Sequence, residues 1–181
     1  MRASATLRIE LQGIHPPVWR RFVVPAEILL PKLHKVIQAV MGWENYHLVQ
    51  FRFCTAIFGT PSEEFLEDPT RSEKGVRLVN ALGTATDFVY EYDFGDGWEH
   101  YIHVEAMGES EEVLALPVCT AGENACPPED VGGAGGYEDF KKALAQPGNP
   151  HHAEYRKWIG GVFDPAGFDV NAVNFRLRRL R

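Results

Sequence analysis

Two alternating runs, Phe88 to Phe94 and Trp98 to Glu105, flank the segment Gly95-Asp96-Gly97, and this leaves the middle of the chain little choice but an antiparallel hairpin. Strand side chains alternate between faces, so each run has an apolar face that must be covered. The Asp-Gly pair supplies the positive backbone angles of a tight turn. A two-residue turn at Asp96-Gly97 would set Asp93 opposite His100 and Glu91 opposite Ile102. Asp93 and His100 then share one face, while Phe88, Tyr90, Tyr92, Phe94 and Tyr101 form an aromatic stripe that needs a core. On this register the polar pair belongs to an open side or a cleft. It suits acid-base chemistry, metal ligation or a cross-strand hydrogen bond that pins the register. His100 and His103 lie an odd number of positions apart and point to opposite faces.

The remaining pattern gives an α+β fold: an antiparallel or mixed sheet built from N-terminal and central hairpins, packed by one early helix and several C-terminal helices. Leu7, Ile9 and Leu11 alternate with polar residues, and Val18 to Val24 is a second strand beyond the break Gly13-Ile14-His15-Pro16-Pro17. Apolar residues recur at helical spacing from Leu30 to Met41, with Pro31 in the first turn and Gly42 as the stop. His47 to Phe53 reads as a third strand, and Thr60 to Gly75 as a surface loop. Glu109 to Glu112 is an acidic loop. Three short helices are expected over Tyr137 to Ala145, His151 to Ile159 and Val170 to Leu180. Strands come first and helices last, the order of an α+β domain. A chain of 181 residues fits one domain spanning 1–181.

Charge is divided unevenly. From Leu78 to Phe140 there are 14 carboxylates and no lysine or arginine, whereas the rest of the chain carries 11 acids and 18 bases. Such a block opposes a main role in gripping phosphate backbones, which requires clustered cations. Arg176, Arg178, Arg179 and Arg181 form the one basic cluster, and they suit the end of a last helix. The N-terminus lacks the apolar core of a signal peptide, and no apolar run reaches membrane-spanning length. A cytoplasmic location is expected, and three cysteines fit a reducing compartment.

Chemistry-bearing residues crowd into two glycine-bounded segments, Tyr92 to His100 and Cys119 to Gly133. The candidate binding cleft comprises Asp93, Asp96, Trp98, His100, Glu129 and Asp130. Cys119 and Cys126 are wider apart than in a zinc knuckle, so a metal there needs His100 or Glu129 as a further ligand. Otherwise the thiols are small packing residues. Carboxylates from the two loops offer oxygen ligands to a hard divalent cation. The run Gly132-Gly133-Ala134-Gly135-Gly136 is costly to order unless it approaches another backbone closely or wraps something.

At these residues the chain resembles the plasmid pRiA4b ORF-3-like family, whose fold is called MM3350-like. The resemblance rests on Pro17-Val18-Trp19-Arg20-Arg21, Leu33-His34-Lys35-Val36-Ile37-Gln38, Met41-Gly42-Trp43 and His47-Leu48. It continues through Tyr92 to His100, Cys119, Gly122, Cys126 to Asp130, Gly132-Gly133, Gly136-Tyr137, Phe163-Asp164 and Phe168-Asp169. It implies a single α+β domain of bacteria and archaea, often encoded near plasmid or transposon genes, with no established activity. The resolvase-like label carried by some relatives does not fit. None of the seven histidines begins a His-x-x-Arg motif, and Ser4, the N-terminal serine that a serine resolvase would need, lies in what reads as a frayed terminus.

Two functions follow from these readings. One is a non-enzymatic binding or accessory module, associated with mobile genetic elements, whose acidic cleft recognises a basic protein partner. The other is a metal-dependent hydrolase of the phosphoester class, with Asp93, Asp96, His100, Glu129 and Asp130 as ligands or base.

Overall fold

The computed structural model of the chain describes residues 2–61, 69–110 and 117–180. The elements run β1 (Arg2–Leu11), β2 (Trp19–Pro25), α1 (Leu30–Met41), β3 (Val49–Phe53), β4 (Ala56–Gly59), β5 (Thr70–Ser72) and α2 (Leu78–Leu82). Then come β6 (Asp87–Tyr92), β7 (Trp98–Ser110), β8 (Val118–Glu123), α3 (Gly133–Ala145), α4 (His152–Ile159) and α5 (Val170–Arg178). The strands form one mixed sheet in the order β5-β4-β3-β6-β7-β1-β2-β8, in which only β4 and β5 pair in parallel.

Parity decides the two faces of this sheet. Leu7, Ile9 and Leu11 of β1, Phe22 and Val24 of β2, and Phe88, Tyr90 and Tyr92 of β6 all turn inward and are buried. Helix α1 covers them with Leu30, Leu33, Val36, Ile37, Val40 and Met41, each fully or nearly fully buried. At about 1.5–3 kcal/mol per buried large side chain, this stripe fixes the helix on the sheet. Gly42 ends α1 in the left-handed conformation at φ 110°, and its N–H bonds back to Gln38 O at 2.8 Å. The opposite face of the sheet is polar and carries ion pairs between strands, such as Arg21 with Glu105 and Arg52 with Glu91, each at 2.5 Å.

The central hairpin departs from the expected register. Tyr92 pairs with Trp98, Tyr90 with His100 and Asp87 with His103, so residues 93–97 form a five-residue connection. Asp93, at φ 56°, accepts the N–H groups of Gly95 (3.0 Å) and Asp96 (3.3 Å) on Oδ1, and its own carbonyl accepts Gly97 N–H at 2.7 Å. A side chain mimicking a turn backbone thus displaces the Asp-Gly turn. The slip is odd, and it turns His100 inward. Asp93 and His100 are therefore not cross-strand partners. The row Phe51–Tyr90–His100–Leu11 instead crosses four strands inside the core. Trp98, Ile102 and Val104, which share the parity of His100, are buried with it, whereas Phe94 and Tyr101 are about half exposed.

Other differences are smaller. The segment Cys119 to Glu123, expected as part of a loop, is the edge strand β8, antiparallel to β2. Helix α3 begins four residues earlier than its apolar spacing suggests, at Gly133. The expected loop from Thr60 to Gly75 contains the short strand β5, and its residues 62–68 lie outside the described ones. Of the expected acidic loop, residues 109 and 110 close β7, and 111 and 112 lie outside the described residues. Among the described residues, no helix is long and apolar enough to cross a membrane.

Candidate functional site

The two glycine-bounded segments meet. Asp96 Oδ2 accepts the N–H of Gly132 at 3.0 Å, and a Cβ on Gly133 would stand 2.7 Å from Asp96 O. Gly133 also has φ 68°, so glycine is required there by conformation and by contact. This is the close backbone approach that so many glycines call for. It places the Pro127-Pro128-Glu129-Asp130 corner beside the β6–β7 turn.

A third segment completes the site: His47 and Leu48, expected to open the third strand, lie ahead of β3, which begins at Val49. The connection between α1 and β3 lies over Tyr92, whose hydroxyl accepts Tyr46 N–H at 2.9 Å, and Asp93 N–H donates to Leu48 O at 2.9 Å. His47, held between these two bonds, points its Nε2 at three carboxylates. Asp130 Oδ1 is 2.9 Å away, Asp93 Oδ2 3.6 Å and Glu129 Oε2 3.8 Å. Ligand atoms of His47, Asp93 and Asp130 all lie within 4.8 Å of one another.

The hydrogen bonding around this cluster is incomplete on its inner side. The Asp130 contact does not meet hydrogen-bond geometry, so among the described residues the buried Nε2 of His47 and Oε2 of Glu129 have no hydrogen-bond partners. Glu129 Oε1, by contrast, accepts Glu44 N–H at 2.6 Å and Tyr92 O–H at 3.0 Å. Burial, reinforced by Glu129, raises the pKa of the Tyr92 phenol and keeps it a donor. One oxygen of Glu129 is fixed by the protein, and the other is free to ligate. Asp93 and Asp130 both have φ 56°, an uncommon conformation outside glycine that aspartate tolerates better than most residues.

The other sequence candidates serve different ends. His100 is fully buried, donates from Nδ1 to Tyr90 O at 3.1 Å, and accepts Trp43 Nε1–H on Nε2 at 3.1 Å. Both nitrogens are committed, and burial lowers its pKa to about 4. It is a neutral core histidine, so neither the cleft nor the cysteine metal site can use it. Trp98 is buried behind the site against Trp43, with ring centroids 5.6 Å apart. Asp96 is spent on docking Gly132. Cys119 and Cys126 are free thiols, both raised in pKa chiefly by burial, and among the described residues they belong to no group of potential metal ligands. Of the sequence candidates, then, Asp93, Glu129 and Asp130 come together with His47.

The sequence relationship spans the site. A model of the family described as plasmid pRiA4b ORF-3-like protein matches residues 3–172, which include the whole cluster. The chain belongs to the plasmid pRiA4b ORF-3-like family. It is 42% identical over 171 residues to the uncharacterized protein y4hQ of Sinorhizobium fredii, covering 93% of this chain and 85% of that one. Its fold is similar to the crystal structure of MM3350 from Methanosarcina mazei Go1, described as a protein of unknown function. The TM-score is 0.86 at 34% identity, over 94% of this chain and 97% of that one.

In this member of the family the cluster stands between two clefts. Glu129 and Glu44 line one of about 590 Å³, whose other walls come from α1, α5 and the segment between α4 and α5. Asp130 lines the second, of about 520 Å³, together with Tyr155 and Trp158 of α4. Its side chain is 65% exposed, against 10% for Asp93 and 12% for Glu129. The cluster thus has a closed inner side and an open outer one.

Proposed function

We propose that the protein is a divalent-metal-dependent domain whose working centre is His47, Asp93 and Asp130, with Glu129 beside them, and that its chemistry is metal-assisted hydrolysis. The observation that carries this reading is the convergence of three ligand atoms, from three separate segments, within 4.8 Å. One imidazole and carboxylate oxygens suit a first-row divalent ion. Three protein ligands leave coordination positions for water and substrate, which is what separates a catalytic site from a closed structural one. The exposure of Asp130 marks the open side. A water bound to the ion would have a lowered pKa, and the uncommitted Oε2 of Glu129, on the closed side of the cluster, is a further oxygen for the ion.

Calorimetric titration of metal-stripped protein with Mn²⁺ and Zn²⁺, followed by hydrolysis assays on bis-(p-nitrophenyl) phosphate, tests the proposal. Stoichiometric binding is expected, with turnover only in the loaded protein. Absence of any saturable binding would remove the metal centre, and binding without turnover would remove the hydrolytic part.

A second reading, an accessory module of mobile elements that docks a basic protein, is supported by the rim of the site. Tyr46 and Leu48 flank His47, Phe94 follows Asp93, and the three are 68%, 62% and 49% exposed. Apolar side chains around an acidic centre fit a partner segment carrying lysine or arginine. Capture of such a partner that weakens with salt and needs no metal would favour this reading.

A further inference from the structure

Two arginines far apart in sequence, Arg20 and Arg176, meet at the C-terminal end of α1. Arg20 Nε donates to Val40 O at 3.1 Å and Arg176 Nε to Ala39 O at 2.9 Å, so each guanidinium satisfies a carbonyl that the helix end leaves open. Arg20 is 3% exposed and spends three more N–H bonds on the carbonyls of Trp19, Glu123 and Asn124, at 2.7 to 2.8 Å. Its guanidinium carbon lies 4.5 Å from the centroid of the Phe168 ring. Four of its five N–H groups are thereby used.

These bonds explain the position of the two side chains but not their charge. Among the described residues, no carboxylate comes within 4 Å of either guanidinium. A helix C-terminus offers about half a negative charge, against two full positive ones. Burial lowers the pKa of Arg20, and the neighbouring charge of Arg176 lowers it too, yet an arginine stays protonated. The carboxylates nearby have other donors. Three of them, Glu44, Glu129 and Asp169, line the same cleft: Glu44 takes Tyr46 O–H, Glu129 takes Glu44 N–H and Tyr92 O–H, and Asp169 takes the N–H groups of Asn171 and Ala172 at the start of α5.

Both arginines line the 590 Å³ cleft, whose remaining wall is mostly apolar and includes Met41, Phe163, Phe168 and Val173. That volume is in the range of small-molecule sites, which combine apolar walls with a few convergent polar groups. We infer that this cleft binds an organic anion, with its carboxylate or phosphate on Arg20 and Arg176 and its apolar body against Phe163, Phe168 and Val173. Two guanidiniums lining one cleft, with no carboxylate within 4 Å of either among the described residues, are the arrangement that such a head group completes. Gly122 keeps the floor in place, because a Cβ there would stand 2.7 Å from Phe168 and 2.8 Å from Arg20. The inference does not depend on the His47 centre, although Glu129 borders both.

The test is NMR titration of the protein in EDTA with phenyl phosphate, 3-phenylpropanoate, inorganic phosphate and benzyl alcohol. One or both aromatic anions should bind saturably, and the tighter of the two identifies the head group. Inorganic phosphate and the neutral alcohol should each bind about tenfold more weakly or worse, since each lacks half of the recognition. Arg176→Gln should weaken the anion about tenfold or more, whereas Arg178→Gln, outside the cleft, should not. Ala172→Glu is a second probe, at an exposed cleft-wall position near the start of α5 where glutamate suits the helix. It should abolish binding by placing a carboxylate among the guanidiniums. Failure of both aromatic anions to bind would overturn the inference. So would equal binding of the alcohol, or equal losses in the Arg176 and Arg178 variants.

Discussion

Trp43 donates its indole N–H to Nε2 of His100 at 3.1 Å, inside the core and beneath the His47 site. The bond assigns the histidine its tautomer. Nε2 accepts, so Nδ1 carries the proton and gives it to Tyr90 O. A protonated His100 would present an N–H to Trp43 where an acceptor is needed, and it would be a buried charge.

Stability should therefore fall in acid through a defined window. His100 titrates at about 4 in the folded protein and near 6.5 when unfolded, so between those values the unfolded chain binds more protons. The stabilisation is complete above pH 6.5 and is lost as the pH falls to about 4, by roughly 3 kcal/mol. Urea melts of the wild type and of His100→Leu at pH 7.5, 6, 5 and 4 would measure it. The variant should be weaker at pH 7.5, with Trp43 N–H deprived of its acceptor, but should lose less than the wild type on acidification.

Asp93 has a turn-forming oxygen and a site-facing oxygen, and substitutions can separate them. Asp93→Asn keeps an acceptor for Gly95 and Asp96 and tolerates the positive φ, so the fold should persist. Its metal affinity should fall at least about 100-fold, beyond the 10- to 100-fold typical of losing an outer-shell partner. Asp93→Ala should in addition lower stability by about 1–3 kcal/mol. Chemical melts and Mn²⁺ titrations of both variants distinguish the two roles.

Adjacent glycines of α3 should respond in opposite directions to the same change. A Cβ at Gly136 would lie 2.0 Å from Val131 O, whereas one at Gly135 meets nothing within 4 Å. Gly136→Ala should cost about 2 kcal/mol or more, because backbone has to move. Gly135→Ala should be neutral or stabilising by up to about 1 kcal/mol through helix propensity. Thermal melts of the two proteins give the comparison directly.

Thiol reactivity should divide the cysteines by burial. Cys54 is exposed, Cys119 is buried, and burial raises the pKa of Cys119 and Cys126. An aromatic disulfide reagent at pH 7.5 should react rapidly with one thiol in the native protein and with three after unfolding. A second fast thiol would contradict the burial of Cys119 in β8 or of the Cys126 thiol, whose residue is partly exposed at the cleft.

The sequence by itself determined the central elements of the fold and the carboxylates of the site. Helix α1 from Leu30 to Met41, its stop at Gly42 and the alternation of β1, β2 and β6 are local consequences of apolar spacing and backbone preference. The carboxylates Asp93, Glu129 and Asp130 were marked by their glycine-bounded segments. The register of the central hairpin was also partly legible, since Trp98, Ile102 and Val104 share the parity of His100 and needed the same core. Yet the Asp-Gly pair pointed to a tighter turn, and Asp93 overrode it with its own side chain.

Only the tertiary structure decided that His47, rather than His100, faces those carboxylates. The alternation that suggested a strand from His47 holds only from Val49, and in the connection before it bonds to Tyr92 and from Asp93 aim His47. The pairing of Arg20 with Arg176 was equally hidden, because the carbonyls that hold them belong to the end of a third element, α1. Periodicity encodes which face a residue takes within its own strand or helix. Which faces meet is settled by the packing of elements distant in sequence, which minimises exposed apolar surface and unpaired backbone groups together.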